Sequence, residues 1–189
     1  MQRRRFVLGA AVLAATLAAG CTTTPPTPAG TEARKQEIDA GAVATLDRLY
    51  QIAPGARELS RKAAGVLVFP NILSAALIAG GQHGTGVLRI GGRPVDYYSI
   101  SGASFGWQLG AQSRALVMYF MTDEALRQFR SSSGFTAGIN ATVALARVGA
   151  DGSLDTNTIR EPIIAFALTN QGLMAGLSIE GTKFTRLDW

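Results

Sequence analysis

One cysteine and one histidine, Cys21 and His83, stand among the 189 residues. A zinc centre draws its ligands from clusters of such side chains, so no histidine–cysteine cluster can be assembled. Charge is sparse too. Only 16% of residues are charged against 47% hydrophobic, which excludes a disordered chain and supplies enough apolar material for the core of a single domain. No apolar run reaches membrane-spanning length near the N-terminus: the uncharged stretch from Phe6 to Gly20 is 15 residues, against the roughly 20 a spanning helix needs.

The N-terminus instead has the layout of an export signal. Arg3, Arg4 and Arg5 precede the apolar stretch, and the small residues Ala18, Ala19 and Gly20 lead to Cys21. Cleavage before Cys21 is expected, with residues 1–20 removed. This changes the meaning of the net charge. The full chain carries +5, from 18 basic and 13 acidic residues; without the three arginines 15 remain against 13, and the mature chain is near neutral at +2. A nucleic-acid partner, which demands concentrated positive charge, is therefore excluded from the expectations.

The residues before Cys21 resemble the bacterial lipobox, with Ala18 where that pattern usually has leucine. The resemblance implies that Cys21 is acylated and becomes the new N-terminus, and Thr22 behind it implies sorting to the outer membrane. Arg3 to Leu8 also resemble a twin-arginine signal, so export through either that route or general secretion fits. After the cysteine, residues 22–30 hold three of the seven prolines and four threonines. Such a segment cannot bury enough apolar area to fold, and reads as an extended tether reaching on the order of 30 Å.

Residues 31–189 read as one α+β domain. Thr31 is placed to cap a helix in which Ile38, Ala42, Leu46, Leu49 and Tyr50 recur at helical spacing; Pro54 and Gly65 bracket a second. Beyond Gly65 the chain turns to strand patterns, over residues 66–69, 74–79, 86–90, 95–100, 115–121, 141–148, 163–168 and 173–179, several too apolar to face water on either side. The turns Gly91-Gly92, Asp151-Gly152 and Asn170–Gly172 predict hairpins, hence mainly antiparallel pairing. One helix interrupts, with Thr122 as cap and Asp123 and Glu124 in its first turn. The expected fold packs N-terminal helices on a large, strongly curved sheet, sandwich-like or barrel-like.

Chemistry-bearing motifs are few. His83 lies in "GGQHGTG", with no nucleophile elbow nearby. That glycine-rich stretch lacks a phosphate-loop lysine and a following helix, so its glycines read as bends in a sheet. Asp151, Ser153, Asp155 and Asn157 alternate like calcium ligands, but Thr156 occupies the glycine position of such loops and Pro162 the bidentate glutamate position. A polar hairpin is the reading, with a weak calcium site as the alternative. No cofactor is expected, and no enzymatic activity.

The stretches "AAGVLVFPNI", "AGGQHGTGVLRI", "DYYSISGASFGWQLGAQSRALVMYFMTDEALRQF" and "NQGLMAGLSIEGTKF" resemble, in order, the signature blocks of the SYLF domain family. The resemblance runs from about Ile38 to Phe184. It implies a non-enzymatic phospholipid-binding domain. The residues chemically suited to anionic head groups are Arg57, Arg61 and Lys62 of the second helix and Arg34, Lys35 and Arg48 of the first, since guanidinium groups pair with phosphate while their stems lie on apolar surface. Two functional readings follow: a lipid-anchored phospholipid-binding protein at the periplasmic face of the outer membrane, or an envelope lipoprotein that serves a structural role or binds a protein partner.

Overall fold

The computed structural model describes residues 27–76, 79–105, 110–146, 155, 160–174 and 179–189. The expected export signal, Cys21 and the first residues of the expected tether lie outside them. Contacts divide the chain into two units, Met1–Ala33 and Arg34–Trp189.

Helix α1 spans Pro28–Ile52. It starts three residues before Thr31, because Thr27 rather than Thr31 closes its first turn: the Thr27 hydroxyl accepts the Gly30 N–H at 3.2 Å. Pro28 follows, and a proline at the first helical position loses no hydrogen bond and is already held near helical φ. Residues 28–30, expected to be tether, are therefore helical. Helix α2 is Gly55–Lys62, with Pro54 immediately before it.

The remaining chain builds one curled sheet. Its strands are β1 Gly65–Ala76, β2 Ala79–Ile90, β3 Arg93–Phe105, β4 Gly110–Phe120, β5 Phe135–Thr136, β6 Ala144–Leu145, β7 Ile163–Thr169, β8 Gly172–Leu173 and β9 Lys183–Arg186. Helix α3, Asp123–Ser131, lies between β4 and β5; the Thr122 hydroxyl accepts the Ala125 N–H and caps it. The spatial order is β5-β9-β3-β2-β1-β4-β7-β6, with β8 on β7. All pairings are antiparallel except β6 with β7.

Two expected strands are one. Residues 66–69 and 74–76 belong to a single β1, whose register slips at Pro70 against both neighbours. Proline has no N–H to give a ladder, and a bulge is where a central strand tolerates it. The glycine-rich stretch is likewise continuous strand, in β2. The β2–β3 hairpin closes on Gly91 and Gly92, with φ of 58° and 80°, the left-handed pair that a two-residue turn requires. Of the strand expected over residues 141–148, only Ala144–Leu145 is strand among the described residues, and it is parallel. In the segment expected over 173–179, the strand among the described residues is β8, and residues 175–178 lie outside them. Conversely, β5 and β9 were not expected as strands.

Alternation along the strands sorts residues to two dry faces. Val66, Val68, Val87, Val117, Tyr119, Ile164 and Phe166 pack under α1 and α2 with Ile38, Ala42, Leu49, Ala56 and Leu59. Leu67, Phe69, Leu88, Tyr98, Ile100, Leu116, Met118 and Phe120 face the other way, beneath α3 with Phe129, Phe135 and Phe184. We call these the outer and inner faces. Burial on both explains why the strands read as continuous apolar runs.

Candidate phospholipid interface

Helix α1 buries Ile38, Ala42, Thr45 and Leu49, one stripe at spacings of three and four. Arg34 and Lys35, four and three residues before Ile38, continue that side of the helix toward its start, and Arg48 borders it. Arg34 and Lys35 precede Arg48 by more than three turns, on the order of 20 Å along the helix.

Near its start, α1 meets aromatic rings contributed by distant parts of the chain. The Arg34 guanidinium lies 5.9 Å from the centre of the Trp189 ring, and the Lys35 ammonium 5.8 Å from that of Tyr97. The two rings are themselves 5.8 Å apart. Tyr97, on β3, is fixed from α1 as well, since its hydroxyl donates to Asp39 Oδ2 at 3.0 Å. Trp189 remains 41% exposed, so the cluster presents an indole and two cations to solvent. A shallow depression beside it is lined by Lys35, Asp96, Tyr97, Arg186, Asp188 and Trp189.

Asp96 anchors further positive charge there. Its side chain is only 6% exposed, and it receives Arg186 of β9 at 2.7 Å and Arg130 of α3 at 3.1 Å. A buried carboxylate needs such partners. Both arginines are about half exposed, so the trio carries a surplus positive charge at the surface.

The six basic residues named from the sequence are thus separated into three places. Arg34 and Lys35 join the aromatic cluster. Arg48 turns to β7, where its guanidinium donates to the Thr169 carbonyl. Arg57, Arg61 and Lys62 stand exposed on α2; Arg57 lies 4.8 Å over the Tyr50 ring, and Lys62 pairs with Glu58 at 2.8 Å. The Lys62 hydrogen bond and charge hold the Glu58 carboxyl below its ordinary pKa. Trp189, Tyr97, Arg130 and Arg186 were not singled out from the sequence. No local spacing links them to α1, although "DYY" at residues 96–98 lies inside a recognised block.

Among the other candidates, His83 is exposed on β2, opposite Leu73 and Ser101 in register. Asp155 is exposed; Asp151, Ser153 and Asn157 lie outside the described residues. Among the described residues no three His, Cys, Asp or Glu side chains gather as metal ligands, and no helix is long and apolar enough to cross a membrane.

Residues 101–188, from within β3 to the residue before Trp189, match the family model described as "Ysc84: Las17-binding protein actin regulator". That segment, 88 of the 189 residues, is similar to the Ysc84, or SYLF, family. A frog relative, "SH3 domain-containing YSC84-like protein 1" of Xenopus laevis, is 27% identical over 126 residues, which are 64% of this chain and 37% of the relative. The chain thus spans well under two thirds of that relative's length. The family description is that of a partner-binding regulator. The matched segment contains α3, β4, β7 and β9 and so supplies Arg130 and Arg186, whereas the basic helices precede it.

Proposed function

We propose that this protein is a non-enzymatic, lipid-anchored module that binds anionic phospholipid. The observation that carries this reading is the cluster of Arg34, Lys35, Tyr97 and Trp189, flanked by Arg130 and Arg186. Indole and phenol rings beside cations suit a membrane interface, where the ring meets the acyl boundary and the cation meets phosphate. Each basic residue near an anionic surface contributes about 1 kcal/mol. Arg57, Arg61 and Lys62 add to the attraction from α2. Acylation of Cys21 after removal of residues 1–20 would supply the firm anchor, at the periplasmic face of the outer membrane, because a single weak surface contact is reversible.

The test uses the full chain carrying Cys21→Ser, sedimented with phosphatidylglycerol vesicles and with phosphatidylcholine vesicles at low salt. Binding to the first alone, weakened by salt and reduced about tenfold by Arg34→Ala with Lys35→Ala, is the expected result. No binding to phosphatidylglycerol overturns the reading. The anchor is checked separately by the intact mass of wild-type protein extracted from membranes; an unmodified N-terminus at Met1 overturns it.

The family description favours a second reading, an envelope lipoprotein that binds a protein partner. In that case crosslinking in cells recovers one dominant partner, and substitutions in the basic helices leave its recovery unchanged.

A further inference from the structure

The inner face of the sheet is not apolar throughout. At the end where β1 meets β2, two successive rows cross the strands. One is Arg114, Ile72, Gly84 and Ile100; the next contains Ser74, Gln82 and Gly102. Arg114 follows the alternation of Leu116 and Met118 and so projects to the inner face. Its guanidinium reaches across β1 and donates to Gln82 Oε1. Gln82 in turn donates from Nε2 to the Thr182 hydroxyl at 3.1 Å. Both are buried, at 7% and 2% exposure. Gly102, opposite Gln82, leaves the amide its space: a Cβ there would lie 2.8 Å from Nε2.

Donors outnumber acceptors in this group. A guanidinium has five N–H groups, a hydroxyl one O–H, and the hydrogen bond to Gln82 occupies one face of the Arg114 fork. Among the described residues the buried Ser74 hydroxyl oxygen has no hydrogen-bond partner. Among the described residues no carboxylate pairs with Arg114, which is half buried; burial lowers its pKa, yet a guanidinium keeps its charge. A desolvated cation near the Ser74 hydroxyl, with no carboxylate paired to it among the described residues, is an arrangement that an oxyanion completes.

We propose that Arg114, Ser74, Gln82 and Thr182 form an oxyanion site on the inner face, one that takes a carboxylate or phosphate group. It stands apart from the surface cluster and does not depend on it. Ile72, Ile100 and Leu116 adjoin it and are fully buried, so the anion enters beside apolar walls where its bonds to the guanidinium are strong. The group could come from a free ion or from the head of an amphiphile.

The full chain carrying Cys21→Ser, labelled with nitrogen-15, is titrated with inorganic phosphate in one arm and with decanoate below its micelle concentration in the other. The Arg114 Nε–H and Gln82 amide resonances are followed. Saturable shifts at both residues are expected in at least one arm: phosphate alone assigns a free anion, decanoate alone an amphiphile. Arg114→Gln should weaken binding at least tenfold and Ser74→Ala a few-fold, while Arg57→Ala with Arg61→Ala and Lys62→Ala leaves it unchanged. No saturable shift in either arm, or equal affinity in a folded Arg114→Gln, overturns the proposal. Should Arg114→Gln fail to fold, Ser74→Ala decides: reduced affinity supports the site, unchanged affinity overturns it.

Discussion

The two faces of the sheet are built from the same strands by different means. On the outer face, valines and the Tyr119–Phe166 ring pair meet small residues of α1, α2 and the link between them. Ala42, Ala53 and Ala56 are fully buried there, and α1 comes so close to the β1 bulge that a Cβ on Gly41 would lie 2.9 Å from Pro70. On the inner face, large rings do the filling. Phe129 of α3 lies within 4.8 Å of both Tyr98 and Phe120 and 5.1 Å of Phe135, centre to centre. Small residues let an element approach, but each contributes little buried area; aromatic residues bury 150–250 Å² apiece, on the order of several kcal/mol. The inner face should therefore dominate stability, leaving the outer helices to carry the exposed cations.

The largest effect should come from Phe129→Ala, which removes the ring at the centre of the inner cluster and should cost about 3–5 kcal/mol in urea unfolding. Leu49→Ala beneath α1 should cost about 3 kcal/mol or less; equal losses would break the comparison. Next is the link from the inner face to the surface. Asp96→Asn leaves two arginines without their carboxylate, and because both are half in water the expected loss is about 2 kcal/mol, read as a lower denaturation midpoint. Gly86→Ala sets the new methyl 2.5 Å from the Val68 carbonyl and 2.6 Å from the Phe69 ring, for a cost of roughly 1–3 kcal/mol. In the same strand Gly81→Ala meets nothing within 4 Å and should change stability by less than about 0.5 kcal/mol. Comparable midpoints for the two glycine variants would refute the close approach of β1 and β2 at Gly86.

A further effect is alkaline, and it appears on both faces. Burial, followed by the nearby Asp96 charge, pushes the Tyr98 phenol up to about 12; burial with Tyr50 alongside raises Tyr119 as well. Among the described residues the Tyr98 hydroxyl has no hydrogen-bond partner. An unfolded tyrosine ionises near 10 while the folded one still holds its proton, so stability is intact below pH 10 and falls as pH rises from 10 towards 12. Tyr98→Phe should flatten that fall, and Tyr98→Phe with Tyr119→Phe should flatten it further. An unchanged slope in the double variant would show that these phenols reach water.

Much of the fold is legible locally. Period-two alternation with both faces apolar marks the central strands, Gly91-Gly92 marks a tight hairpin, and Thr122 with Asp123 and Glu124 marks the start of α3, because each depends on neighbours within four residues. Pro70 misleads for the same reason. Taken locally it breaks a strand, whereas the ladders on either side of β1 carry it through as a bulge. The candidate interface is legible in chemical type only: six basic residues on two helices can be named, but their grouping cannot.

By itself the sequence determined the α+β class, the central hairpins, the apolar character of both sheet faces and the supply of cations on the first two helices. Tertiary structure alone decided that β9 lies beside β3, that Trp189 comes under Arg34, that Asp96 gathers Arg130 and Arg186, and that Arg114 meets Gln82 across β1. The physical reason is range. Helical and strand periodicity arise from steric and hydrogen-bonding rules among adjacent residues, whereas these pairs lie 32 to 155 positions apart and meet only when the sheet curls and its core closes.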